Sequence, residues 1–133
     1  MIDQIDLQIL ELLKNNARIS FSELGRKVNM TQPAVSERVK RLEEKGVITG
    51  YRTVLSPDKM GKGVTAFILI QASHCDRLTA FAKQSIYQVS GQYNFLMKIE
   101  TASMKSLEAF IYDCSEYGHT TTMTVLSTPL EQE

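Results

Sequence analysis

The sequence lacks the residue patterns that build most catalytic and metal sites. Its two cysteines, Cys75 and Cys114, do not have CxxC spacing, so we expect reduced thiols rather than a disulfide or a zinc site. Its two histidines, His74 and His119, fall at predicted strand ends, and their spacing gives no Ser-His-Asp or Cys-His arrangement. The seven glycines are scattered and form no phosphate-binding loop. The sequence therefore predicts no enzyme, no metal site and no cofactor.

Long apolar runs and net charge are missing as well. No stretch approaches the ~20 residues that span a bilayer, and the acidic start MIDQIDLQ is unlike a signal peptide, so we expect a cytoplasmic protein with no membrane partner. The formal net charge is zero over 133 residues, which alone argues against nucleic acid. Residues 1–62, however, carry 11 Lys and Arg against 8 Asp and Glu, whereas residues 63–133 carry 4 against 7. This asymmetry favours a DNA-binding module joined to a second module.

The stretch from residue 20 to residue 46 has the features of a helix-turn-helix. Ser20 and Glu23 have capping-box spacing at the start of one helix, and Asn29 tolerates the left-handed conformation that ends a helix. Thr31 is placed to cap a second helix, with Pro33 in its first turn. The usual use of this arrangement is to lay the second helix in the major groove of DNA.

A helical wheel of the second helix separates a core face from a polar face. Val35, Val39 and Leu42 share one side, so we expect them in the core. Gln and Ser hydrogen-bond bases, while Lys and Arg also bind phosphate. A solvated amphipathic helix is the alternative, and Arg52 in the following arm is equally well explained as a solvated arginine. The candidate DNA contacts are Gln32, Pro33, Ser36, Glu37, Arg38, Lys40, Arg41 and Arg52.

The remaining segments predict an α+β fold with two domains. Residues 3–14 form an amphipathic helix capped by Asp3, and residues after Gly46 form a short strand pair or an extended arm. This gives a winged helix-turn-helix over 1–50 and a linker over 51–63. Over 64–133 we predict strand 64–72, helix 76–86, strands 87–93 and 95–101, helix 103–116 ended by Gly118, and a last threonine-rich strand. This β-α-β-β-α-β order is ferredoxin-like, and its uncovered sheet face favours oligomerisation.

The chain resembles the Lrp/AsnC family of transcriptional regulators over nearly its whole length. The residues that carry the resemblance are Asp3, Asp6, Ile9-Leu10, Arg18-Ile19-Ser20, Glu23-Leu24-Gly25, Arg38-Val39, Leu42-Glu43, Gly46-Val47-Ile48, Gly50-Tyr51, Gly61 and Gly91-x-Tyr93-Asn94. The resemblance implies a RAM/ACT-like second domain that forms dimers, which commonly assemble into octamers or larger rings. It also implies double-stranded DNA sites that are imperfect palindromes, and a small-molecule effector, usually an amino acid.

The resemblance places the effector at a subunit interface near the family's G-x-Y-D bend. The candidate effector-binding residues are Gly91, Tyr93, Asn94 and Thr121. Asn94 stands where the family usually has aspartate, so a charge-assisted bond to an ammonium group is lost. We therefore expect weak binding of ordinary amino acids, or a ligand without a free amino group. Asn94 serving only the turn explains the residue equally well, and strand propensity explains the threonines.

Two other classes of function remain open at this level. Some haem-pathway decarboxylases resemble the same family, although residues 63–133 hold only four cationic side chains for a polycarboxylate. A winged helix used for protein contacts is the second alternative, and steep salt dependence of binding would distinguish DNA recognition from it.

Overall fold

The chain divides into two units, Met1–Val54 and Leu55–Glu133. The structure, a computed structural model, describes residues 1–73, 78 and 85–130. The linker predicted over 51–63 is split between the two units.

Side-chain caps determine where the helices of the first unit begin and end. Asp3 caps the first helix through a reciprocal capping box with Asp6, and the Ser20 hydroxyl accepts a hydrogen bond from the Glu23 amide (3.1 Å). Asn29 ends the second helix with a left-handed φ of 58°. The predicted caps and turn are confirmed, except that of the capping box predicted for Ser20 and Glu23 the described residues form only the bond from the Glu23 amide to the Ser20 hydroxyl. The helices are α1 (Gln4–Asn15), α2 (Phe21–Val28) and α3 (Gln32–Glu44).

One apolar cluster holds these three helices together. Val35, Val39 and Leu42 of α3 are buried as the wheel predicted, and they pack with residues of α1 and α2. The buried members of the cluster are Ile9, Leu13, Leu24, Val28, Val35, Val39 and Leu42. Because these positions are fixed in the core, the rotation of each helix about its axis is fixed as well.

The segment after α3 is an extended arm. The amides of Val47 and Ile48 donate to the Leu42 carbonyl at 2.9 and 3.1 Å and close the end of the helix, and Ile48 packs against the core. Residues 47–56 contain no strand, so of the two predicted alternatives the arm is confirmed. The predicted turn beginning at Ser56 is present, with residues 57–61 in turn conformation.

The second unit is built on a four-stranded antiparallel sheet of order β2-β3-β1-β4. Its elements are β1 (Val64–Ala72), β2 (Ile86–Gln88), β3 (Phe95–Thr101), α4 (Met104–Cys114) and β4 (Gly118–Thr124). The predicted helix 76–86 lies mostly outside the described residues, although Leu78 is helical and buried. That prediction extended too far, because Ile86 begins β2. The strand predicted over 87–93 is also too long, because β2 ends at Gln88.

Alternation along the central strands gives the sheet two different faces. Ala66, Ile68 and Ile70 of β1 are fully buried, whereas Phe67 and Leu69 between them stay partly exposed. The register places their neighbours on this second face beside them, with the half-buried Leu96 and Thr121 opposite Leu69, and Lys98 and the exposed Met123 opposite Phe67. We call this partly exposed side the open face.

Gly118 has a different role from the predicted one. The last helix ends at Cys114 with Ser115 as its C-cap, and Gly118 instead begins β4 opposite Ala72. A Cβ at this position would collide with the carbonyl of Gln71. Glycine is therefore required by the close approach of two strands rather than by the end of a helix.

Gly25 permits a second close approach, between α2 and the turn of the helix-turn-helix. A Cβ there would lie 2.5 Å from the Met30 carbonyl oxygen. Alanine gains about 1 kcal/mol of helix propensity over glycine, but overpacking of this kind costs about 1–3 kcal/mol. We expect Gly25→Ala to lower the free energy of unfolding in urea. Gly50→Ala is the matched control, because a Cβ there has no neighbour within 4 Å. Equal stability of the two variants would contradict the argument.

Candidate DNA-binding and effector sites

The exposed face of α3 carries most of the predicted DNA contacts. Gln32, Pro33, Glu37, Lys40 and Arg41 are exposed, and Ser36 is half-buried at the edge of this face. They are exposed because Val35, Val39 and Leu42 turn the opposite side of the helix into the core. The arrangement presents amide, hydroxyl and cationic groups on one helix, which is what reading base edges and binding phosphate require.

Arg38, a further predicted DNA contact, forms ion pairs with the start of α1. Its Nη1 atom donates to both carboxylate oxygens of Asp3, at 2.8 and 2.7 Å, and to Oδ1 of Asp6 at 3.0 Å. The hydrogen bond from Arg38, together with that from the Asp6 amide, holds the pKa of the Asp3 carboxyl below its ordinary value of 3.8. The ion pair between Asp3 and Arg38 is therefore complete at neutral pH, and its contribution to stability is lost as the pH falls from the ordinary pKa of that carboxyl through the lowered one.

Arg52 lies in the arm that follows α3. Its side chain is exposed, and it shares a shallow groove with Tyr51 and with Lys14 at the end of α1. A free cation at this place is consistent with a phosphate contact, and equally with a solvated side chain.

In the second unit, the bend before β3 is fastened to the end of β1. The Asn94 side chain accepts a hydrogen bond from the Ala72 amide (2.8 Å) and donates one to the Ala72 carbonyl (2.9 Å). The backbone amide of Asn94 also donates a hydrogen bond to the Ile70 carbonyl. Both polar atoms of this side chain are therefore bonded within the chain, which favours the interpretation that Asn94 serves the bend.

Tyr93 connects this bend to β4. Its hydroxyl lies 2.6 Å from Oγ1 of Thr121, and its ring stacks on His119 with centroids 6.4 Å apart. The structure thus brings Tyr93, Asn94 and Thr121 into one region, together with Gly91, whose φ is 116°. Sequence reasoning missed His119. The alternation of a strand could have indicated it, because His119 lies two residues before Thr121 and therefore on the same side of β4 as Thr121.

The remaining reactive groups do not form a further site in the described part of the chain. Cys114 is buried, and burial raises the pKa of its thiol to about 12, so it is not a thiolate at neutral pH. Within residues 1–73, 78 and 85–130, no group of three or more His, Cys, Asp or Glu side chains is arranged to hold a metal ion. The described helices are also too short or too polar to cross a membrane.

A helix-turn-helix whose second helix exposes polar and charged side chains, followed by an antiparallel sheet domain, defines a two-domain DNA-binding regulator. Comparison with known proteins gives the family. Residues 2–49 match a winged helix-turn-helix DNA-binding family, and residues 65–133 match the Lrp/AsnC ligand binding domain. The chain belongs to the Lrp/AsnC family of DNA-binding transcriptional regulators. The resemblance and the α+β fold class predicted from the sequence are confirmed.

Individual relatives agree over the full length. The HTH-type transcriptional regulator YezC of Bacillus subtilis is 40% identical over 131 residues, which cover 95% of this chain and 94% of the relative. The structure of B. subtilis LrpC has a TM-score of 0.94 at 31% identity and covers 99% of both chains. A feast or famine regulatory protein from M. tuberculosis complexed with L-methionine has a TM-score of 0.89 at 26% identity, covering 98% of this chain and 96% of the other.

The two bonds between Asn94 and Ala72 lead to a test by isosteric substitution. In Asn94→Asp the carboxylate still accepts from the Ala72 amide, but its second oxygen faces the Ala72 carbonyl. We expect a loss of roughly 1–3 kcal/mol in the free energy of unfolding at pH 7. The folded-state pKa of the new carboxyl should be raised, because its protonated form can donate to that carbonyl. The loss should therefore be smallest below pH ~4 and grow as the pH rises through the raised pKa.

Gln92→Glu is the matched control for this measurement, since it makes the same amide-to-acid change at an exposed position in the same bend. Urea titrations at several pH values check both variants. If Asn94→Asp is as stable as Gln92→Glu at every pH, the two hydrogen bonds do not fasten the bend.

Proposed function

We propose that this regulator reads DNA with α3 in the major groove, as a dimer on an imperfect palindrome, under the control of a small molecule bound by its second domain. The observation that carries the DNA part is the rotation of α3. Its core residues are buried at one side, and Gln32, Ser36 and Lys40 lie on the opposite or flanking sides. Early turns of a recognition helix reach base edges, so these positions are the ones that meet DNA.

Lys40 and Arg41 have the chemistry of phosphate contacts, whereas Gln32 and Ser36 have the chemistry of base contacts. A lysine or arginine that neutralises one phosphate releases counterions whatever the sequence. An amide or hydroxyl that bonds a base edge discriminates among sequences and adds little on random DNA. The two pairs should therefore respond differently to the same substitution.

Alanine substitution separates these roles. Lys40→Ala and Arg41→Ala should weaken binding to all DNA and flatten the log–log salt slope by about 0.9 each. Gln32→Ala and Ser36→Ala should cost roughly 1–3 kcal/mol on the specific site and much less on random DNA. Gel shifts at several salt concentrations measure both effects. Lys105 is an exposed lysine of the second unit. Lys105→Ala is therefore the matched control, and it should change neither the salt slope nor the affinity for the specific site. If Gln32→Ala weakens binding to the specific site and to random DNA equally, Gln32 contacts the DNA backbone rather than a base.

The open face of the sheet supports the dimer. Phe67, Leu69 and Leu96 are apolar side chains that stay partly exposed in the described part of the chain, because they project to the side opposite the buried residues of β1 and β3. Met123 adds an apolar side chain that is 48% exposed. A second copy of the same face is self-complementary and would bury this surface in an isologous interface. Larger rings of dimers are part of the same proposal.

The effector part of the proposal rests on the bend and β4. Tyr93, Thr121 and His119 form a polar group of side chains at the end of the sheet, and a relative from M. tuberculosis binds L-methionine. We place an amino-acid-like ligand near this group. Because Asn94 carries no charge and both of its side-chain polar atoms bond Ala72, it offers no carboxylate to an ammonium group. Ordinary amino acids should therefore bind weakly.

The dimer is tested by placing a charge on the open face. We expect the unmodified protein to be at least a dimer in light scattering at micromolar concentration, and Leu69→Lys to shift it toward the monomer, since an unpaired buried charge is costly. Met104→Lys is the matched control, because Met104 is 58% exposed on α4 in the same unit. Circular dichroism confirms folding of both variants. A monomeric unmodified protein would contradict the proposal.

A further inference from the structure

Two carboxylates at the start of α1 lie beside the cationic side of α3. Asp3 and Asp6 share a cavity of about 100 Å³ with Arg38, Arg41 and Lys45. Of these three cations, Arg38 holds the carboxylates, with Nη1 at 2.7 Å from Asp3 Oδ2 and 3.0 Å from Asp6 Oδ1. Arg41 and Lys45 are exposed; Arg41 lies about one turn further along α3, and Lys45 is the C-cap of that helix.

The arrangement matters because carboxylates near a DNA-binding helix oppose binding in two ways. They repel phosphates within the screening length of about 8 Å at physiological salt. They also compete with phosphates for nearby arginine and lysine side chains, since both are oxyanions that accept charge-assisted hydrogen bonds. Arg38 satisfies both carboxylates from the protein side, and its own side chain is only 20% exposed. Its charge is thus balanced inside the protein.

We propose that Arg38 is a positioning residue, which keeps Asp3 and Asp6 from capturing Arg41 and Lys45 and so leaves those two cations free for DNA phosphate. The inference rests on the proposed function, in which α3 binds DNA. It assigns Arg38 a part in DNA binding without contact to DNA. It also assigns the capping box of α1 a second role beyond the start of a helix.

The proposal makes Arg38→Met informative. Methionine keeps the apolar stem of the side chain but leaves two carboxylates without their partner, in the same cavity as Arg41 and Lys45. One of these cations then turns to the carboxylates. We expect weaker binding to all DNA sequences and a log–log salt slope that is flatter by about 0.9, the value for one phosphate contact. Loss of a direct Arg38 contact would produce the same change, so a second variant is needed.

The triple variant Asp3→Asn, Asp6→Asn, Arg38→Met distinguishes the two explanations. Asparagine is as good an N-cap as aspartate, so α1 keeps its start while both negative charges are removed. The proposal expects the slope of the unmodified protein to return in the triple variant, because neither Asp3 nor Asp6 remains as a carboxylate that could capture Arg41 or Lys45. A direct contact by Arg38 predicts that the slope stays flat, because the side chain is still missing.

Arg41→Met provides the matched comparison. Its flattened slope should persist when Asp3→Asn and Asp6→Asn are added, because Arg41 itself is gone. All variants are used as full-length protein, with thermal unfolding measured separately so that a change in folding is not read as a change in binding. A slope in Arg38→Met equal to that of the unmodified protein would overturn the inference, as would a flat slope in the triple variant. Absence of salt-dependent DNA binding by the unmodified protein would instead overturn the proposed function itself.

Discussion

Burial of Val35, Val39 and Leu42 is the constraint on which the DNA-binding unit depends. These three side chains fix the rotation of α3, and that rotation decides which side chains face solvent. The caps at Asp3, Ser20 and Thr31 set the helix starts, and the core then leaves one polar face on α3 exposed. The sequence does not have to encode the exposed side of α3 directly, because that side follows from the one that is buried.

In the second unit, too, the buried side determines the exposed side, here for the two faces of a sheet. Strand β1 lies between β3 and β4, so its alternation assigns the residues of both neighbours to one face or the other. One face buries Ile68 with Met97 of β3. The other is the partly exposed open face, and Asn94 fastens the adjacent bend to the end of β1. The chain therefore combines a DNA-binding unit with a sheet unit whose second face is apolar and partly exposed.

Local features of the structure were predictable from the sequence, and features that join distant residues were not. The caps, the left-handed Asn29 and the buried side of α3 depend on residues within one or two turns, so spacing alone indicated them. Arg38 meets Asp3 across 35 positions, and no local pattern distinguishes such a pair from a solvated arginine and a solvated aspartate. Glycine is required at position 118 because β4 comes close to Gln71 of β1, and these strands are far apart in the chain. The prediction that Gly118 ends the last helix used only local sequence, and it was wrong. The contact of His119 with Tyr93 depends in the same way on which strands are neighbours.

Methylation interference on a binding site selected from random DNA tests the central claim most directly, namely that α3 of a dimer enters the major groove. Methylation of guanine at N7 adds a group in the major groove, whereas methylation of adenine at N3 adds one in the minor groove. The account predicts N7 interference in two patches on one side of the duplex, about 10 base pairs or a multiple of that apart. Interference confined to N3 positions, or a single patch on every selected site, would contradict it.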